Sequence, residues 1–250
     1  MRRAVEFWRE TDLRTAGRVE EHPLGVALFD DQLPEMWILN QLHVVRPEPE
    51  LEAGALVAEL DRLYGHLKHR RVTIDDDATG QRLDEGLRAH GFRPDRLGVM
   101  LLGDPPPPPP GVAREETDDA VFRAVELAVA LDTREQPAEV AERLVAGRAR
   151  IRAGREGTRT FVGARDGFDA CTVTMYSDGS VAQLEDVATL IEHRGHGLAA
   201  ATVSLAIHKA LAAGHDLVFL LVELDGGPVS LYERLGFRTA GQYWNFTRPE

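Results

Sequence analysis

The sequence predicts an α/β protein made of two units in tandem, each a sheet flanked by helices. Three observations carry that expectation. A run of six prolines, Pro105 to Pro110, interrupts the chain. Proline fixes φ and lacks a backbone donor, so such a run cannot continue a helix or a central strand and reads as an extended polyproline spacer. The segments on either side echo one another, Glu85–Arg93 with Leu231–Arg238, each ending on Gly-Phe-Arg. In the second segment a strand-like run, Val181–Thr189, leads through a glycine-containing turn into a long helix-like run. The expected division is 1–104, a linker at 105–111, and 112–250.

Within 1–104 the pattern predicts a strand at Trp37–Val45, a helix at Leu51–Lys68 and a strand at Arg71–Ile74. A short helix at Arg82–Ala89, the pair Gly91-Phe92 and a strand at Arg96–Leu102 follow. Within 112–250 it predicts a strand at Gln183–Thr189, a helix at Leu198–Ala213 and an apolar strand at Leu217–Val222. A short helix at Val229–Leu235, the pair Gly236-Phe237 and a last strand at Gly241–Thr247 complete the order. Gly91 and Gly236 stand 145 residues apart, and at that spacing Asn40–Val44 falls on Glu185–Thr189. The echo is lost at the turn: Pro49 stands opposite Arg194, Glu52 opposite Gly197 and Leu87 opposite Tyr232. Three carboxylates at Glu48, Glu50 and Glu52 would repel an anion, so the first copy is expected to be degenerate and to hold no cofactor.

Composition narrows the function. The chain is 43% hydrophobic and 28% charged, as folded water-soluble domains are. No apolar run approaches the roughly 20 residues a membrane helix needs. The basic start at Arg2 and Arg3 leads into no apolar signal core, and a single cysteine, Cys171, gives no internal disulfide, which together favour the cytoplasm. Cys171 itself reads as a small buried hydrophobe. A net charge of −12 disfavours nucleic acid; it reads first as a device for solubility, with attraction of a cationic small molecule as the alternative. The aspartates Asp30, Asp31 and Asp75–Asp77 read as solvated loops, and His208 and His215 as surface residues.

The turn after Thr189 carries the chemistry. A strand, a glycine turn and a helix start form an anion site, because the first helical N–H groups have no partner and the helix N-terminus carries partial positive charge. Arg194 adds a planar donor fork, and Gly195 and Gly197 remove side chains that would hold a phosphate away. The guest that fits is a pyrophosphate. His193 and His196 flank Arg194 without a further ligand cluster at metal spacing, so no metal is expected.

The second segment resembles the GNAT superfamily of N-acetyltransferases over about 113–250. The turn reads Arg194-Gly-His-Gly197-Leu-Ala199 where that family has Gln/Arg-x-x-Gly-x-Gly/Ala. Asp225-Gly-Gly-Pro228-Val-Ser-Leu-Tyr232 followed by Gly236-Phe237 is similar to its Asn-x-x-Ala-x-x-x-Tyr element. The resemblance implies two GNAT-like domains in tandem, each a mostly antiparallel mixed sheet, and one working acetyl-CoA site. It implies that acetyl-CoA lays its pyrophosphate on Arg194, Gly195, His196, Gly197, Leu198 and Ala199. The pantetheine arm would pair with Val187, Ala188 and Thr189, with Asp225 near it. Tyr232 would protonate the departing thiolate. Glu185 is the candidate base, since strand alternation puts it on the face of Val187. The implied reaction is direct attack by a primary amine, of a small molecule or a peptide, in a ternary complex. The alternative is a non-catalytic CoA-binding or regulatory module. No nucleic acid or membrane partner is expected, and the chain is read as a monomer with pseudo-dimeric halves or a homodimer.

Overall fold

The computed structural model of the chain describes residues 1–108, 111–133 and 137–249. In chain order the first elements are α1 (Arg2–Thr15), β1 (Arg18–His22), β2 (Gly25–Phe29), β3 (Leu42–Val44), α2 (Ala53–Tyr64), β4 (His69–Ile74), α3 (Asp77–Ala89) and β5 (Arg93–Leu102). There follow β6 (Ala113–Glu116), α4 (Asp119–Thr133), α5 (Ala138–Ala153), β7 (Arg159–Arg165), β8 (Phe168–Ser177) and β9 (Val181–Thr189). The chain closes with α6 (Leu198–Ala212), β10 (Leu217–Glu223), α7 (Val229–Arg234) and β11 (Phe237–Pro249).

These elements form two compact units. The larger comprises residues 1–7, 100–221 and 228–239, and the smaller comprises 8–99, 222–227 and 240–250. The units interleave along the chain, whereas the segments read from the sequence, 1–104 and 112–250, are continuous.

In the larger unit the strand order is β6-β7-β8-β9-β10. The first four strands are antiparallel neighbours, and β10 joins β9 in parallel. The apolar run of β10 is buried on both faces, which is why it reads as continuous hydrophobic sequence with no alternation. α6 is rich in alanine, the strongest helix former, and its small buried face lets it lie close to β7. A Cβ at Gly163 of β7 would stand 2.4 Å from Thr202 Oγ1 and 2.9 Å from a Leu198 methyl, so glycine there permits that approach. On α4, Phe122 and Val125 pack with Val162. The sequence pattern gives no bounds for α4, α5, β6 or β7, and of β8 only the strand-like stretch around Cys171.

In the smaller unit the order is β1-β2-β3-β4-β11. β1, β2 and β3 form an antiparallel meander, β4 runs parallel to β3, and β11 lies antiparallel to β4 from Trp244↔Ile74 to Pro249↔His69. Trp244 and Phe246 of β11 belong to the same core as Leu42, Leu56, Val72 and Leu87. The echoed Gly-Phe pairs have a common cause. Gly91 (φ +86°) and Gly236 (φ +90°) stop α3 and α7 in the left-handed conformation that glycine accepts without penalty.

Several sequence expectations are corrected. Trp37–Val45 is a 3-10 turn at Trp37–Leu39 followed by the short strand β3. α3 begins five residues early because the Asp76 carboxylate accepts from Thr79 N at 2.8 Å and caps it. Asp75–Asp77 is therefore no solvated loop: Asp75 pairs with Arg9, and Asp77 accepts from Trp244 Nε1 at 2.8 Å. Asp30 is buried and holds the Gln32 and Leu33 N–H groups. His215 is buried, bonded at 2.8 Å to the Ala210 carbonyl at the end of α6. Cys171 is fully buried. The proline run does not hang free where it is described: the Pro107 carbonyl accepts from Ser204 Oγ and the Pro106 carbonyl bonds His208 Nε2, both at 3.0 Å. Pro109 and Pro110 lie outside the described residues.

Candidate active site

The site is built on the parted end of one strand pair. The parallel ladder between β9 and β10 runs over Val181–Leu184 and Leu217–Leu220 and stops there. β9 goes on to Thr189, still paired on its other side to β8 through Thr172↔Ala188 and Cys171↔Thr189. Its β10-side edge over the last residues is thus a row of backbone donors and acceptors with no strand beside it among the described residues.

A bulge sits within that stretch. Thr174 faces Glu185 and Thr172 faces Ala188, so Asp186 and Val187 together stand against Val173 alone. Asp186 takes φ +53°, a left-handed value uncommon for a residue with a Cβ. The period-two alternation that put Glu185 and Val187 on one face is broken there, which corrects that expectation.

From Thr189 the chain makes a 3-10 turn at Ile191–His193 and enters the glycine turn. Gly195 (φ +77°) and Gly197 (φ +76°) are both left-handed. A Cβ at either would meet nothing within 4 Å, so the backbone conformation, rather than crowding, calls for glycine. Gly197 is the N-cap of α6 and supplies no side-chain bond, and the first turn of α6 carries no acidic residue. A 15-residue helix with an uncapped N-terminus presents unsatisfied N–H groups and a favourable field for an anion. Arg194 Nε donates to the Thr189 carbonyl at 3.0 Å, tying the turn back to the strand end.

These pieces enclose a cavity of about 800 Å³. Of the residues singled out from sequence, it is lined by Val187, Ala188, Thr189, Arg194, Gly195, Gly197, Leu198, Ala199 and Tyr232. Tyr232, on α7, is 5% exposed and stands edge-on to Phe237 at 6.2 Å. Burial, then the neighbouring Glu185 and Cys171, push its phenol above the usual tyrosine range, so it is protonated at neutral pH.

Three sequence candidates stand apart from this lining. Glu185 accepts from Gln183 Nε2 at 2.5 Å and does not line the cavity. The His196 side chain is exposed, its Nδ1 2.7 Å from the carbonyl of Arg194 in its own turn. Asp225 belongs to the smaller unit, where Arg96 grips it through two bonds, of 2.8 and 2.5 Å.

Sequence reading missed Val129 and Thr133 of α4, which also line the cavity. The signal was present as the i, i+4 pair Val125 and Val129 in the apolar stripe of α4. Also missed was Asp132, whose carboxylate accepts from Ile191 N at 2.5 Å and joins the end of α4 to the turn. Beside β9, Glu126 of α4 is 4% exposed and its carboxyl is pushed up by burial and by Asp186.

Residues 125–237 match the model of the Acetyltransferase (GNAT) family. Every residue lining the cavity falls inside the matched segment. Among solved structures the whole chain is similar to a GCN5-related N-acetyltransferase from Kribbella flavida, with TM-score 0.65, 19% identity, and 99% of this chain and 95% of that one covered. It is similar as well to a functionally unknown conserved protein from Staphylococcus epidermidis, with TM-score 0.69, 11% identity and 94% of each chain covered. A GCN5-related N-acetyltransferase from Sphaerobacter thermophilus shares part of the fold, with TM-score 0.50, 19% identity, and 72% of this chain and 60% of that one covered. At these identities the structural likeness speaks to fold. No curated protein matches the chain in sequence. No helix among the described residues is long and apolar enough to cross a membrane.

Proposed function

We propose that the matched segment is an acetyl-CoA-dependent N-acetyltransferase with one active site, in the cavity between the β9 edge and the α6 N-terminus. One observation carries the reading: an unpaired strand edge and an uncapped helix start with two left-handed glycines open onto the same cavity. An extended amide-bearing arm that ends in a pyrophosphate matches both. The edge at Val187–Thr189 would pair with the arm's amides, and the N–H groups of 195–199 with Arg194 would hold the phosphates.

The reaction needs three services. As the amine nitrogen bonds to the thioester carbonyl carbon, negative charge grows on the carbonyl oxygen, and the Val187 N–H would receive it. As the carbon–sulfur bond breaks, Tyr232, held protonated by burial, is the donor to the thiolate. The amine must shed a proton. Glu185 serves through solvent or by attracting the ammonium, because it does not line the cavity itself. The acceptor is a primary amine of a small molecule or peptide, favoured by the net charge of −12.

The first copy is read as holding no cofactor, and the smaller unit supports this. There β3 stays paired to its end with β4, from Leu42↔Val72 to Val44↔Ile74, and Asp75 N bonds the Val44 carbonyl at 3.3 Å. At the 145-residue spacing these β3 residues correspond to Val187–Thr189, so the edge that is open in the larger unit is closed in this one. The α2 N-cap is Glu52, where α6 has Gly197.

Calorimetry with acetyl-CoA, followed by thiol release against a panel of primary amines, tests the proposal. R194E is expected to weaken acetyl-CoA binding by about 10- to 100-fold, the range for losing a charged hydrogen bond and adding repulsion. Unchanged affinity removes the turn from the site. Binding without release of thiol for any amine favours the non-catalytic module.

A further inference from the structure

The bulge at Asp186 and Val187 is held from outside the strand, by a chain of charges, half-buried at Arg148 and Asp186 and buried at Glu126 and Arg152, that the reaction as described does not use. Asp186 is fixed at both ends. Its carbonyl accepts from Thr172 Oγ1 at 3.2 Å, and its carboxylate is 3.5 Å from Arg148 Nε of α5. Arg148 is also 3.6 Å from Glu126 Oε1 of α4. Glu126 in turn pairs with Arg152 at 3.0 Å. Arg152 reaches Asp119 at 3.3 Å and lies over the Phe122 ring at 4.7 Å. The side chains of Glu126 and Arg152 are each only 4% exposed.

The buried Glu126–Arg152 pair contributes little to stability, because desolvation offsets its attraction. A well-packed apolar cluster would serve the core as well. What the network does supply is a defined point of attachment for a residue in an unfavourable backbone conformation. A left-handed residue with a Cβ persists only where its surroundings over-determine it. The bulge decides which way the next N–H faces, and the next residue is Val187, which lines the cavity.

We propose that Arg148 is a positioning residue: anchored by Glu126 and Arg152, it holds Asp186 in the left-handed bulge and so aims the Val187 N–H at the thioester oxygen. The inference rests on the acetyl-transfer reading above and adds a residue of α5 to it. Arg148 touches no reacting atom in this scheme. The clamp acts on the backbone, so glycine at 186, which takes positive φ freely, makes it dispensable.

The experiment uses R148M, D186A, D186G and R148M/D186G in the full chain. It reads kcat by thiol release from acetyl-CoA with the best amine of the panel, acetyl-CoA affinity by calorimetry, and melting temperature. R148M is expected to lower kcat about tenfold, less than the 100-fold or more that losing an oxyanion donor costs, with acetyl-CoA affinity held. D186A and D186G delete the same carboxylate and differ in tolerance of positive φ, so D186G should turn over roughly tenfold faster than D186A and melt higher. In the D186G background, R148M should change kcat little.

Equal losses in D186A and D186G would show that the carboxylate itself is needed, and would overturn the proposal. So would an R148M effect of the same size in both backgrounds, or none in the wild type. If the wild-type chain neither binds acetyl-CoA nor releases thiol, the acetyl-transfer reading fails. The melting temperatures of D186A, D186G and the double variant still decide whether the clamp exists, equal values for D186A and D186G counting against it.

Discussion

Burial sets the protonation of the side chains that matter most, and Tyr232 is the plainest case. Its place on α7 beside Phe237 removes it from water and raises its pKa, which keeps the proton it is proposed to give. Y232F is expected to lower kcat by about 100-fold while acetyl-CoA affinity changes by less than about threefold, since general acid help is made in the transition state. Steady-state kinetics with calorimetry checks the split. Histidines of the smaller unit show the same physics acting on stability. His43 is fully buried, stacked at 5.6 Å on Trp8, and neither ring nitrogen has a hydrogen-bond partner among the described residues. Burial, with Arg9 and Arg71 nearby, depresses its pKa to about 3, even though an Asp12 oxygen is 3.8 Å away. His69 is lowered to about 4, again chiefly by burial. Between those values and the unfolded value near 6.5 the unfolded chain binds more protons, so stability is present above that window and falls as pH drops through it. Each histidine adds a slope of about 1.4 kcal/mol per pH unit. Melting temperature followed from pH 7 to pH 4 should decline, and H43F, which keeps an aromatic ring against Trp8, should flatten the decline.

At the scale of elements, the two helix stops and the α6 start depend on glycine for different reasons. At Gly236 a Cβ would stand 1.8 Å from the Asp104 carbonyl oxygen on top of an unfavourable φ of +90°. At Gly197 only the φ of +76° is at issue. G236A should therefore cost about 3 kcal/mol or more, the left-handed penalty plus the cost of overpacking, whereas G197A should cost about 1–2 kcal/mol. Urea unfolding of both variants measures the difference, and equal losses would contradict the packing around Asp104. The glycines of α3 and α7 were legible in the sequence because helix-stopping chemistry is local. The pattern at Trp37–Val45 reads as a strand because Trp37 and Ile38, apolar although exposed, mimic a strand pattern while belonging to a 3-10 turn. The bulge at Asp186–Val187 left no mark in the sequence, since its cause lies on other elements: Thr172 of β8 and Arg148 of α5.

For the molecule as a whole, the path of β11 carries the most consequence. Its residues from Ala240 on belong to the smaller unit, pair with β4 and put Trp244 and Phe246 into that core. A fragment 1–104 would expose the β4 edge and lose two large core side chains, each worth roughly 3–5 kcal/mol when truncated. It is expected to show no cooperative urea transition, and a fusion of 240–250 to its end should restore one. Cooperative unfolding of 1–104 alone would mean that the sequence boundary at the proline run is the true limit of a folding unit.

The sequence by itself determined the glycine turn before α6, the two glycine helix stops and the distance from Arg194 to Tyr232, and with them the resemblance of the segment. These follow from backbone conformation and spacing within a few tens of residues, where glycine, proline and apolar period act directly. Only the tertiary structure decided that the β9–β10 ladder stops at Leu184 and that Asp186 breaks the alternation beside Glu185. It also decided that Asp225 is held by Arg96 and that the last strand joins the unit built from the first half. Each of these depends on pairing between residues far apart in the chain, and a strand reads the same whether its neighbour stays or leaves.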